Sequence, residues 1–454
     1  MVVCLSVTSA KHHPGVKTVA IIGGGYAGMA AAVELAAAGV SVTVFEAGKV
    51  LGGRARRVAR SHLVGDSAVD NGQHLLIGGY SELLRLMAQC GVDLSRVFLR
   101  LPMRLQVDPD FVLACPRLPA PLHLAVGLLL AKGLSWSERW ALIRTIQISK
   151  WRRWRLAQDI SVAQWLSNER QPASLIAKFW SPLTLAALNT PLELASAQVL
   201  LNVLRDSLGG ARAASDLLLP RCDFSQLFPE PAAQYIEQHA GYLKLGHRVK
   251  GISIDTQGFL LDDSERFDAV ICATPPHQAA NILPSLPALN ALSAQLAAWQ
   301  YQPIVTVYLQ YAAEIKLATP MLGLADAYSQ WVFDRGVSHG QHGLIAVVIS
   351  SEGLHSGLSH DELATAVQAE LHQRLGLPDL VLRQQVISEK RATFACTPDL
   401  LRPDNKTDIA GLFLAGDFTA DLAGQGRGEY PATLEGAVRS GVKAAQQCLL
   451  YLQR

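Results

Sequence analysis

Gly23, Gly25 and Gly28 are spaced G-x-G-x-x-G between a short apolar run and an alanine-rich one. In a strand–turn–helix setting this spacing binds a dinucleotide. The first glycine permits the tight turn, the second lets the backbone approach a pyrophosphate, and the third lets the helix pack on the strand. Free N–H groups and a partial positive charge at the helix start then face the phosphates. Glu46 stands 23 residues after Gly23, where a carboxylate takes both ribose hydroxyls. A carboxylate there repels a 2′-phosphate, so the pattern favours FAD or NAD over NADP. A tight turn without a ligand is the alternative reading of the glycines.

The elements that must carry these residues are legible around them. Lys17 to Ile22 (KTVAII) predicts a buried parallel strand. Met29 to Ala38 predicts a helix, stopped by Gly39, and Val40 to Phe45 a second strand, which completes a βαβ unit. Further strands are expected at 245–255, 267–273, 304–310, 344–350 and 412–415, and helices at 361–375 and 431–449. Residues 81–220 read as mainly helical, with a Pro-rich break at 116–121. The fold class expected is α/β, a Rossmann-type dinucleotide-binding domain with an inserted α+β substrate domain. The first domain draws on 17–80, 221–285 and 406–452, the second on 81–220 and 286–405.

Composition bounds the rest. A chain of 454 residues suggests two or three domains. Charged residues are 17% against a usual share of about 25%, and the net charge is +2, so neither disorder nor nucleic acid is expected. Mean hydropathy of +0.20 points to an apolar ligand or a lipid surface. Seven widely spaced cysteines without a CxxC argue against a disulfide framework or a structural zinc site, and for a reducing cytoplasm. The short apolar run Val2–Val7 lacks the length and basic flank of a signal peptide, and no stretch of 18 apolar residues predicts a membrane span.

VAIIGGGYAG, FEAGKVLGGRA, DNGQHLLIGGY and FLAGDF together resemble the squalene-associated FAD-dependent desaturases, a branch of the flavin amine oxidase and phytoene desaturase superfamily. FWSPLTLAALNTP at 179–191, LRDSLGG at 204–210, SDLLLPRCDFSQLFPEPA at 215–232 and EKRATFACTP at 389–398 extend the likeness from Lys17 to Ala445. The resemblance implies FAD. It implies that Gly52, Gly53 and Arg54 continue the phosphate and flavin cradle, and that the backbone of Gly72, Gln73 and His74 passes beside the isoalloxazine ring. It places Asp417, after Gly416, near the ribityl and pyrophosphate. The helix start at Ala432, Thr433 and Leu434 should aim N–H groups at the flavin O2 and N1 region. Tyr26, Ala27, Ala47 and Val249 complete the expected cofactor contacts. Ala423 to Tyr430 is longer than the family's usual connection.

The implied activity is reductive removal of the hydroxyl of hydroxysqualene to give squalene, on a bacterial route towards hopanoids. Hydroxide leaves poorly, so a positioned acid is expected. Asp206 and Asp223 are the acid candidates; the alternatives are a helix cap or a pair with Arg205 or Arg212 for Asp206, and a cap for Asp223. Asn189 and Ser207 are candidates to orient the hydroxyl. His74 is a flavin neighbour, a proton donor or a turn histidine. Cys396 reads as a buried thiol. A desaturase of a polyprenoid, an amine oxidase and a non-catalytic flavin-binding partner are the rival readings. The single G-x-G-x-x-G leaves the electron donor unidentified. Residues 120–155 predict a peripheral membrane face, on the inner side of the cell membrane. APLHLAVGLLLA is too short to span a bilayer. Trp136, Trp140, Trp151 and Trp154 are spaced to share a helix face, among six basic residues and one acid between 136 and 155. The alternative is that these tryptophans fill the core.

Overall fold

The structure is a computed structural model that describes residues 16–58, 63, 68–108, 110–209, 211–420 and 430–454. The Ala423–Tyr430 connection therefore lies outside the described residues up to its last position, as do Gly210 and the run Val2–Val7.

A parallel sheet carries the glycine turn. Its strands run in the order Tyr242–Leu245, Ser41–Glu46, Thr18–Ile22, Ala269–Cys272, Leu412–Leu414. All neighbours are parallel. Every residue of Thr18–Ile22 and Ala269–Cys272 is buried, as continuous β-branched runs require when both faces are covered. Helices Tyr26–Ala37 and Leu434–Leu452 pack against one another closely. A β-carbon at Gly441 would stand 2.1 Å from the Ala27 carbonyl oxygen, so glycine sets their approach. The chain thus has an α/β fold with a Rossmann-type sheet built from its beginning, middle and end.

A second sheet of seven strands runs Arg383–Phe394, Tyr301–Gln310, Leu344–Ser350, Trp331–Asp334, Met321–Gly323, Arg104–Val107, Phe111–Ala114. Alternation along its strands gives it two apolar faces. Val305, Val307, Ile345 and Val347 pack with Leu363, Val367 and Leu371 of the helix His360–Leu375. Tyr308, Trp331, Phe333 and Val348 belong instead to the largest apolar cluster, with Trp165, Trp180 and Leu188. The segment 81–220 is less purely helical than its sequence suggests. It also holds Phe98–Leu101, Arg104–Val107, Phe111–Ala114 and Leu217–Pro220, four strands of four residues each. Their hydrophobic period is too short to stand out, and all four join sheets that include strands remote in sequence.

Helix Trp136–Trp151 starts with a capping box in which Ser135 and Glu138 satisfy each other's backbone. At 3.6 residues per turn Trp136, Trp140 and Trp151 project within about 60° of one another. They are 67, 66 and 85% exposed. Trp154 departs from the expected shared face. The helix ends at Trp151, Arg153 and Trp154 take positive φ of 53° and 58°, and the Trp154 ring turns into the core. Among the described residues no helix is long and apolar enough to cross a membrane.

Candidate active site

The glycine turn is shaped by backbone approach. Gly23 has φ +115°, and a β-carbon there would stand 2.7 Å from the Ala273 carbonyl oxygen. At Gly28 it would stand 1.9 Å from the Gly23 carbonyl oxygen, so the third glycine is sterically required. Gly25 differs: its β-carbon would meet only the Gly53 α-carbon, at 3.8 Å. That open side is where a pyrophosphate fits. The helix that follows has neither a capping side chain nor an acid in its first turn, so the N–H groups of Tyr26 and Ala27 face no competing carboxylate. Gly52 donates to the Gly24 carbonyl oxygen at 2.9 Å, which lays Gly52 and Gly53 alongside the turn.

Glu46 ends its strand beside this cradle. Its carboxylate accepts from the N–H of Gly24 at 2.8 Å and of Gly48 at 2.7 Å. Each oxygen keeps a lone pair for a ribose hydroxyl. Ala47 is exposed next to it, and Val249 is buried beyond His247, whose N–H holds the Glu46 carbonyl oxygen at 2.9 Å.

The far end of the chain closes onto the same place. Arg54 grips both oxygens of Asp417, at 2.8 and 2.7 Å, and also donates to the Ala392 carbonyl oxygen at 2.8 Å. One guanidinium thereby joins the glycine segment, the Gly416–Asp417 turn and the long strand of the second sheet. Ser440 accepts from the Gly416 N–H at 2.9 Å and pins that turn to the last helix. Thr433 caps the helix, accepting from the Gly436 N–H at 3.1 Å, with Ala432 half-buried before it and Leu434 as its first residue.

The D-N-G-Q-H segment meets the seven-stranded sheet at Tyr308 and Thr306. Asp70 is fully buried; one oxygen accepts from the Phe224 N–H at 2.8 Å, and the other has no hydrogen bond and lies 3.9 Å from Arg335. Burial raises its carboxyl to about 7, against the lowering pull of Arg335. Arg335, equally buried, donates to Gln73 at 2.5 Å and to Gln341 at 2.5 Å. Tyr308 donates to the Asp70 carbonyl oxygen at 2.9 Å. His74 faces the Gly72 carbonyl oxygen through Nδ1 at 2.8 Å. A carbonyl only accepts, so Nδ1 carries the hydrogen and Nε2 the lone pair. Burial holds His74 below the ordinary histidine range, which suits an acceptor and not a proton donor near neutrality.

The candidates for catalysis separate. Asp223 is buried as the N-cap of Phe224–Leu227, accepting from Ser225 and Gln226 at 3.0 Å each, and pairs with Arg57 at 3.1 Å. Its oxygens are engaged in the cap that the sequence offered as its alternative. Asn189 is committed too. It ends the helix Ser181–Leu188 with φ +46°, donates to Thr393 at 3.0 Å and accepts from the Ser351 N–H at 2.8 Å. Asp206 pairs with Arg205 at 2.8 Å and accepts from the Tyr430 hydroxyl at 2.6 Å, one residue before the Pro431 turn. Both Asp206 oxygens are thus engaged as well, one in the pair with Arg205 that the sequence offered as its alternative and one by the Tyr430 hydroxyl. Cys396 is buried, and burial raises its thiol to about 11. Arg335, Tyr308 and Thr306 were not singled out in the sequence. Their only signal was their place in strands or at a strand end, which says nothing of what they face.

The chain matches the family of flavin containing amine oxidoreductases over residues 26–449. It is 28% identical to the hydroxysqualene dehydroxylase of Sinorhizobium fredii over 95% of this chain and 98% of that one. It is 29% identical to the hydroxysqualene dehydroxylase of Rhodopseudomonas palustris, again over 95% and 98% of the two chains. Among solved structures, cyclohexylamine oxidase from Brevibacterium oxydans superposes with a TM-score of 0.67 over 97% of this chain and 100% of that one, at 20% identity, and so shares the fold.

Proposed function

The chain belongs to the flavin containing amine oxidoreductase family and is an FAD-dependent oxidoreductase; from that premise we propose that it reductively removes the hydroxyl of a hydroxysqualene-like polyprenoid. The observation that carries this reading is the near end-to-end likeness to two hydroxysqualene dehydroxylases. Residues 17–80, 221–285 and 406–452 act as the cofactor domain in this reading, and 81–220 with 286–405 as the substrate domain. The Gly23–Gly28 turn with Gly52 and Gly53 would hold the pyrophosphate, Glu46 the ribose, and the Arg54–Asp417 clamp would fix the flavin end. Bound and reduced, FAD supplies the hydride with which an allylic alcohol R–OH and one proton become R–H and water. The apolar cluster under the second sheet keeps water from a short-lived allylic cation. In this reading Asp206, joined to the Tyr430 hydroxyl at 2.6 Å, passes the proton to the leaving oxygen.

A lipid surface supplies such a substrate. Trp136, Trp140 and Trp151, with Leu122 and Leu130 at 55 and 70% exposure, make an apolar patch beside a basic run. Indoles favour the headgroup level, and each basic residue near anionic lipid adds about 1 kcal/mol. Part of the basic run is otherwise engaged, since Arg152 pairs with Glu169 at 3.1 Å. The membrane contact therefore rests on the indoles first.

The test is a single-turnover reaction without oxygen. Photoreduced enzyme given hydroxysqualene should reoxidise and yield squalene carrying one hydrogen from the flavin. Reduction of the oxidised enzyme by squalene or phytoene would establish a desaturase instead.

A further inference from the structure

The inner face of the seven-stranded sheet carries a hydroxyl without a partner. Thr306 is fully buried, and its Oγ1 makes no hydrogen bond among the described residues. Its strand neighbours on that face are apolar: it pairs with Val348, which pairs in turn with Trp331. The Trp331 indole N–H is also buried without a partner. A buried donor left unpaired is costly, so this hydroxyl calls for a partner, which a bound ligand can supply.

The surroundings of Thr306 say which ligand. A β-carbon built on Gly72 would stand 3.9 Å from Thr306 Oγ1 and 3.3 Å from His74 Cε1. The hydroxyl and the Nδ1–Cε1 edge of the imidazole, whose Nδ1 is 3.8 Å from the same point, thus both come within 4 Å of one point on the D-N-G-Q-H segment, which the family resemblance sets against the isoalloxazine ring. The His74 Nδ1–H is spent on Gly72, which leaves Nε2 as an acceptor. Thr306 offers an O–H donor. An alcohol has one hydrogen to give and lone pairs to receive one, so it satisfies both groups at once. A hydrocarbon satisfies neither.

We propose that Thr306 and His74 form the recognition pair for the substrate's hydroxyl, which makes Thr306 a specificity-determining residue. The inference rests on the dehydroxylation reading and adds to it. The alcohol is held at the reactive edge, and the hydrocarbon product loses both bonds and is released.

The test titrates oxidised holoenzyme with hydroxysqualene and with squalene in the same detergent, following the flavin absorbance. Wild type should bind the alcohol more tightly than the hydrocarbon. Thr306→Val should weaken alcohol binding by about tenfold, the loss of one neutral hydrogen bond. Squalene and FAD affinities should stay unchanged, and Thr306→Ser should restore preference for the alcohol. Thr306→Ala, read the same way, carries the test if Thr306→Val does not fold. Preference for the alcohol that is undiminished in Thr306→Val or Thr306→Ala overturns the inference alone. An equal loss of FAD affinity also overturns it, because the hydroxyl then serves the cofactor. Wild type that responds to neither lipid overturns the dehydroxylation reading together with the pair.

Discussion

The Arg54–Asp417 clamp makes the sharpest demand on the tertiary structure, because its two residues are 363 positions apart. The Asp417 side chain is 6% exposed and that of Arg54 is 29% exposed, with both carboxylate oxygens on one guanidinium. Removing one partner of such a buried pair strands the other. That costs about 3–5 kcal/mol, whereas replacing both by apolar groups of similar volume is often neutral. Arg54→Leu should therefore lose about that much stability, or two to three and a half orders of magnitude in the folded-to-unfolded ratio. Asp417→Leu should lose somewhat less, since Arg54 keeps the Ala392 carbonyl and reaches water. The double variant should recover most of the loss. Urea unfolding of the apoprotein, arranged as a double-mutant cycle, measures the coupling without the contribution of bound FAD. FAD affinity, measured separately, should stay low in the double variant, because the clamp also sets the distance between the two cofactor segments. Single variants that each stay within about 1 kcal/mol of wild type, with additive effects, would refute the reasoning.

Gly25→Ala should fold normally and bind FAD at least tenfold more weakly, because its β-carbon fills the open side of the cradle. Gly28→Ala should fail to give folded protein, since its β-carbon would stand 1.9 Å from a carbonyl oxygen; soluble yield and flavin content separate the two. Exchanging Trp136, Trp140 and Trp151 together for Ser should abolish liposome co-sedimentation with little change in melting temperature. Trp154→Ser should instead cost about 3–5 kcal/mol of stability, because that ring is in the core. Asp70 gives a pH signature. Its folded-state pKa is raised to about 7, so the native state binds more protons than the unfolded chain and stability falls as pH rises from about 4 to 7. Asp70→Asn should flatten that fall, gaining up to about 4 kcal/mol relative to wild type across the window. Parallel stability-versus-pH curves for the two proteins would count against a protonated Asp70.

The local sequence determined the glycine turn and little of what lies opposite it. Gly23, Gly28 and Glu46 act within a few residues of their own backbone or across one adjacent strand, so spacing alone conveys their geometry. The strands at 304–310 and 344–350 and the helix at 361–375 are legible for the same reason: each has a hydrophobic period long enough to show. The four-residue strands between 98 and 220 are not legible, because a period of two needs more residues than they have. Nor is the fate of a lone carboxylate. Asp206 and Asp223 look alike in sequence, and only packing turned Asp223 into a cap while leaving Asp206 beside Tyr430. The same holds for the tryptophans, where two positive-φ residues after Trp151 sent Trp154 inward and left three indoles outside. Asp70 became a buried carboxyl, and Thr306 a hydroxyl without a partner, only when the D-N-G-Q-H segment met Tyr308, Phe224 and Arg335 from distant parts of the chain. Burial and proximity of that kind are sums over contacts remote in sequence, and no local pattern encodes them.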